Sequence, residues 1–161
     1  VVPTGIVATP TGPPRVYLDF VARDMGDADR DFICNSYLLS FRRERPMCWV
    51  PHTIYYGPQG KVLTYLLDKA RVLVACFPED PGEILGYIIY DYMGDVLVVH
   101  YAYAKLDGRG IKHRLLETVA GGLSMAVVTH SFPGMKSLLN RNSRTAVHYD
   151  PYLIQRLMAN G

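Results

Sequence analysis

Long apolar runs are missing from this chain. No stretch approaches the roughly 20 apolar residues that a bilayer requires, so a membrane-spanning helix is excluded as an organising element. Cysteine is scarce and unpatterned. Cys34, Cys48 and Cys76 are odd in number, widely spaced and without a CxxC pair, which argues against a disulfide framework or a zinc ribbon. Three buried free thiols in a reducing compartment are the expectation. The five histidines form no HxH, HExxH or Cys/His cluster, so the usual metal spacings are missing and no metal is expected. Ser131 follows His130, but no G-x-S-x-G elbow accompanies it, and a hydrolase nucleophile is set aside. Residues 1–15 lack a basic segment followed by an apolar block. Their Pro/Thr/Gly-rich composition suits an extended arm rather than a secretion signal, and the unpaired thiols make a cytoplasmic location the expectation.

What is present describes one globular domain, residues 16–161, in a chain of 161 residues that is 49% apolar and 20% charged. The net charge is +2, carried by twelve arginines and five lysines. Arginine favours bidentate contacts with carboxylate and phosphate. A pI near 8.4 lies below the strongly basic range of a dedicated nucleic-acid binder. Anionic ligands are suggested without DNA or RNA being required.

The residue pattern predicts a first strand over 16–21 (VYLDFV) and a helix over about 29–43, capped by Asp27. A second helix is expected to start at Pro58, with Val62, Leu63, Leu66 and Leu67 at helical spacing. Strands at 72–77, 84–90 and 96–104 read as an antiparallel meander. A third helix then carries Ile111, Leu115, Leu116 and Val119 as its inward stripe, and Gly121 and Gly122 end it. A strand at 125–129, a short helix at 133–140 and strand-like or irregular structure at 147–154 complete the chain. The class is mixed α/β, in the order β-α-α-β-β-β-α-β-α-β.

The junction between the fourth strand and the third helix reads AKLDGRGIKHRLLETV, residues 104–119. Helix starts present unpaired amides and a positive dipole end, and glycines admit a ligand close to the backbone. The simpler account is a tight turn with a solvated basic first turn.

This element order and this loop resemble the GNAT superfamily of N-acetyltransferases, across nearly the whole chain and most densely over residues 72–130. The resemblance implies a mixed sheet whose fourth and fifth strands splay apart. Acetyl-CoA or another acyl-CoA would be the co-substrate and an amine the acceptor. Tyr103, Ala104 and Lys105 would hold pantetheine through their backbone, and Gly108, Arg109, Gly110, Ile111, Lys112 and His113 the pyrophosphate. Aligned on Gly110, the family's Gln/Arg-x-x-Gly-x-Gly/Ala motif places Asp107 first and Lys112 last. Both depart from it. Asp107 would repel a diphosphate, whereas Lys112 replaces a small residue but offers an ammonium. The segments DFICNSYLLSFRR, LVACFPEDPGEILGYIIY, HYAYAKLDGRGI and HYDPYLI are also similar to acetyltransferase-like proteins of tailed bacteriophages. That implies a host cytoplasm and an acceptor on a host protein, a small molecule or a DNA base; a homodimer is compatible.

Strict alternation in the fourth strand places His100 with Ala102 and Ala104 on one face, and Val99, Tyr101 and Tyr103 on the other. His100 is therefore a candidate base, against the alternative of a hydrogen-bonded core histidine. His130, at the end of the fifth strand, is a candidate substrate contact. Tyr149 and Tyr152 are candidates for the acid that meets a leaving thiolate, or packing residues with wet hydroxyls. Arg42, Arg43 and Arg45, like Arg141 and Arg144, suit an anionic acceptor or a solvated helix end. The rival to an acyltransferase is a GNAT-like domain without acyl transfer that binds a host protein or nucleic acid.

Overall fold

Alternating and continuous apolar stretches of the chain assemble into one six-stranded sheet whose spatial order follows the chain, β1 to β6. The computed structural model describes residues 19–105, 110–135 and 145–161. Its elements are β1 (Val21–Asp24), α1 (Arg30–Arg42), α2 (His52–Lys69), β2 (Arg71–Cys76), β3 (Ile84–Met93), β4 (Val96–Ala104), α3 (Ile111–Ala120), β5 (Met125–Val128), β6 (Ala146–Tyr149) and α4 (Leu153–Asn160). β1 to β4 pair antiparallel, while β4–β5 and β5–β6 pair parallel. The expected meander and the parallel pair at its edge are both present.

Two adjacent residues of β3 show how the layers are arranged. The Tyr87 hydroxyl lies 2.9 Å from Ser36 Oγ of α1. Gly86 instead faces Ile111 of α3. Neighbouring strand residues point to opposite faces, so α1 and α3 cover opposite sides of the sheet. The helical stripe read from the sequence is the one that packs: Ile111, Leu115, Leu116 and Val119 are all buried. α2 joins α1 through Tyr55, whose hydroxyl donates to the Leu38 carbonyl at 2.7 Å.

Three boundaries differ from expectation. α2 begins at His52, not at Pro58, which lies inside it. Proline costs a helix one N–H bond, but buried Tyr55 lies eight and eleven residues before Leu63 and Leu66 and extends the same inward stripe. The first strand is Val21–Asp24; the expected start at 16–18 and the arm at 1–15 lie outside the described residues, as does most of the helix expected at 133–140. The C-terminal segment leaves β6 at Tyr149 and becomes α4. Ile154, Leu157 and Met158 follow helical spacing, and the Tyr65 hydroxyl donates to the Leu157 carbonyl at 3.1 Å. The three thiols are free, but only Cys76 is buried; Cys34 is half-buried and Cys48 exposed.

Ala75, Gly86 and Ala104 lie side by side on β2, β3 and β4. This row of small residues lets the start of α3 sit close to the sheet. A Cβ on Gly86 would fall 2.5 Å from the Tyr103 carbonyl oxygen and 2.9 Å from Ile111 Cγ2. Gly86→Ala should therefore destabilise the fold by about 1–3 kcal/mol through overpacking, read as a lower urea midpoint. An unchanged midpoint would mean that α3 is not held against the sheet at this point.

Candidate functional site

The parting of two parallel strands creates the site. β4 and β5 pair from Val96–Met125 to Val99–Val128, and one further bond joins the Thr129 amide to the Val99 carbonyl at 3.0 Å. β5 ends at Val128 and β4 runs on to Ala104 without it; on its other side β5 closes against β6 with the bond from the Asp150 amide to the Val128 carbonyl at 2.9 Å. A bulge marks the vertex. Ile89 pairs Tyr101 and Tyr90 pairs Val99, leaving His100 without a partner in β3. Bulges bend a strand and increase its twist.

The bulge also breaks the alternation expected from the sequence. Tyr101 packs on Tyr37 and Phe41 of α1. His100 faces the same side, near Tyr65 and Leu66 of α2, whereas Ala104 faces α3. Beyond the bulge the Lys105 amide donates to the Leu85 carbonyl at 2.7 Å, and hydrogen-bond direction alternates along an antiparallel pair. Lys105 and Tyr103 therefore turn their peptide groups toward β3. Ala102 and Ala104 turn theirs into the gap. The Tyr103 ring stacks on Tyr87 with 5.3 Å between centroids.

Over the sheet beside the end of β4, Gly110 caps α3 in the left-handed region, φ +74°, with open space where a Cβ would stand. Among the described residues no side chain caps the helix, and the bond from the Arg114 amide to the Gly110 carbonyl at 3.0 Å opens it. The amides of Ile111, Lys112 and His113 precede that bond. Uncapped amides beside an open glycine suit a diphosphate. Gly108 and Arg109, with Asp107, lie outside the described residues. The Ile111 side chain is buried in the core. The Lys112 ammonium donates to the Pro133 carbonyl, tying the first turn of α3 to the segment after β5. His113 Nε2 lies 2.8 Å from Glu117 Oε1, and its buried Nδ1 has no hydrogen-bond partner among the described residues.

At the vertex, His100 Nδ1 lies 2.9 Å from Thr129 Oγ1, which lies 2.8 Å from His130 Nδ1. All three residues are at most 5% exposed. Burial lowers the His100 pKa to about 4, partly offset by Asp91. Burial and the neighbouring His100 lower that of His130 to about 3, against a contact with the His100 backbone. Both imidazoles are neutral at physiological pH. They open onto different spaces: His100 borders a small cavity of about 70 Å³ beside Lys69 and Asp91. His130 forms a wall of a larger one of about 460 Å³, which Tyr149 and Tyr152 also line. Burial and the adjacent Tyr152 raise the Tyr149 pKa, so its phenol keeps its proton.

The structure thus brings His130, Tyr149 and Tyr152 to one cavity and sets His100 behind them, through Thr129. Sequence reading missed Thr129. A hydroxyl residue preceding a histidine at a strand end was the only signal available, and it is a weak one.

Unfolding exposes both histidines, which then titrate near 6.5, while the folded chain holds them neutral well below that. The unfolded state binds more protons as pH falls, so stability should decline from about pH 6.5 toward 4. The slope between pH 6 and 5 should approach 1.4 kcal/mol per pH unit for each histidine. Denaturant titrations of the parent and of His100→Gln check this. Loss of one histidine's share of the slope is expected, and an identical slope in both would refute the assignment for His100.

No family model and no curated protein matches the sequence. Solved structures match in shape. A Pyrococcus furiosus protein assigned as an acetyl transferase is 18% identical, over 80% of this chain and 95% of that one, with a TM-score of 0.56. A Corynebacterium glutamicum protein described as histone acetyltransferase HPA2 and related acetyltransferase is 16% identical, over 76% and 82%, with a TM-score of 0.55. An N-acetyltransferase of Staphylococcus aureus Mu50 is 14% identical, over 76% and 81%, with a TM-score of 0.52. At these identities the likeness is one of architecture: the chain has the fold of the GNAT acetyltransferases.

Proposed function

We propose that the chain is an acyl-CoA-dependent N-acyltransferase that moves an acetyl or similar acyl group to an amine. The observation that carries this reading is the gap beyond Val99 and Val128, with the inward-turned peptide groups of Ala102 and Ala104 on one side and the uncapped start of α3 on the other. Pantetheine has amides that would pair with such a strand edge. The pyrophosphate would meet the amides of Ile111, Lys112 and His113 with Gly110 beside them, and Lys112 would add its charge.

The same reading gives the vertex residues their roles. A neutral amine in the larger cavity attacks the thioester carbonyl; the N–C bond forms, and the C–S bond breaks with its electron pair on sulfur. The amine proton passes to the neutral His130 imidazole, which Thr129 and His100 hold in place, and Tyr149 supplies a proton to the departing thiolate. His100 is here a positioning residue, since it borders the other cavity.

Calorimetry and thermal shift with acetyl-CoA and desulfo-CoA test the reading, because a ligand of the native state raises Tm. Both should bind, and Gly110→Val should weaken both by about tenfold or more by filling the approach to the backbone. Tyr149→Phe should lower kcat by about a hundredfold while leaving the affinity for acetyl-CoA unchanged. Absence of a shift with either ligand would leave the fold without its proposed co-substrate and favour the non-catalytic rival.

A further inference from the structure

The acyl-transfer reading leaves the acceptor open, and the larger cavity restricts it. Its volume of about 460 Å³ falls within the range of about 300–1,000 Å³ typical of small-molecule sites. Phe41, Met47, Val62, Ile154 and Met158 supply an apolar, adaptable wall from α1, the following turn, α2 and α4. No carboxylate lines it among the described residues. Two carboxylates adjoin lining residues in sequence, and both are engaged elsewhere: Glu44 accepts from the Ser131 hydroxyl at 3.3 Å, and Asp150, between Tyr149 and Pro151, pairs with Arg156. Among the described residues, the one lining residue with a fixed charge is Arg45. Its guanidinium lies over the Trp49 ring, 5.6 Å from the centroid, and it forms no ion pair among the described residues.

We infer that the acceptor is a small amine-bearing molecule with an apolar, ring-sized body and an anionic group that meets Arg45, rather than a polyamine, a lysine-rich peptide or a nucleic acid. That the amine is the group acylated rests on the proposed acyl transfer; occupancy of the cavity by this class of molecule does not. The charge balance carries the inference. A polycation would bring positive charge toward Arg45 and find no carboxylate to receive it, and an unpaired buried ammonium is costly. An anion forms a charge-assisted pair with the guanidinium, and a ring fills the space between aromatic and thioether side chains. The groups facing His130 agree with this choice: Tyr37 and Phe41 of α1 approach from one side, Thr129 adjoins it, and Tyr149 and Tyr152 line the same cavity. None of these is a carboxylate. A weakly basic amine, which enters uncharged, is favoured over an ε-amine.

Calorimetry with 4-aminobenzoate, aniline, spermine and a lysine-rich peptide, in the absence of CoA, tests the inference. Binding is expected for 4-aminobenzoate and not for spermine or the peptide. Arg45→Gln should weaken 4-aminobenzoate by about tenfold and leave aniline unchanged, while Met158→Trp, which fills the cavity, should abolish binding of both. Acylation assays with the same four amines follow. Binding of 4-aminobenzoate that depends on Arg45, in a protein that ignores acetyl-CoA, supports the cavity inference and overturns the acyl-transfer reading. Acetyl-CoA-dependent transfer with a higher kcat/KM for spermine or the peptide does the reverse. Undiminished 4-aminobenzoate binding by Arg45→Gln overturns the inference outright.

Discussion

The separation of β4 from β5 is the constraint on which the other features depend. All four residues of β5 pair with β4, and the ladder ends with β5 at Val128 while β4 runs on to Ala104. The bulge at His100 redirects β4 at the point where β5 ends. The freed peptide groups of Ala102 and Ala104 would be a liability on an open edge. In this position they form one lip of a cleft, and α3 provides the other. The small residues of β2, β3 and β4 beneath Ile111 bring that second lip down to the sheet.

The vertex itself is built from polar groups in an apolar setting. The two imidazole Nδ1 atoms and the hydroxyl between them are satisfied by one another, so this part of the cost of burial is met locally. Charge is kept to the periphery. Arg23 grips Asp29 through bonds of 2.6 and 2.9 Å at the opposite edge of the sheet, which holds the Asp29 carboxyl below its ordinary range, chiefly through the hydrogen bonds from Arg23. Lys105 pairs with exposed Glu83 just beyond β4. Ion pairs thus fasten the margins, while the vertex holds no ion pair among the described residues.

The local elements were readable in the sequence because each is written in a contiguous pattern. β4 has the expected bounds, Val96–Ala104, and α3 has the expected stripe. Gly121, expected to end that helix, has φ +55°. What failed to show depends on distant partners. Pro58 looks like a helix start until Tyr55 is known to find the Leu38 carbonyl. The bulge at His100 shifts register by one residue, and no residue type in VLVVHYAY announces it. The cavity draws its wall from four separate segments, so Arg45 read only as part of a basic run, and Thr129 as the end of a strand. The cleft was visible as a resemblance; the room beside it was not.

The hydroxyl of Thr129 stands between two Nδ1 atoms but owns a single hydrogen. It can donate to one ring, and the other ring must then donate to it. The two neutral imidazoles consequently hold opposite tautomers: one carries its hydrogen on Nδ1, its neighbour on Nε2. Neither can exchange tautomer alone without leaving two hydrogens, or none, facing the shared oxygen. Any change in one ring is therefore communicated to the other, and the pair has two mirror-related hydrogen arrangements rather than four independent ones.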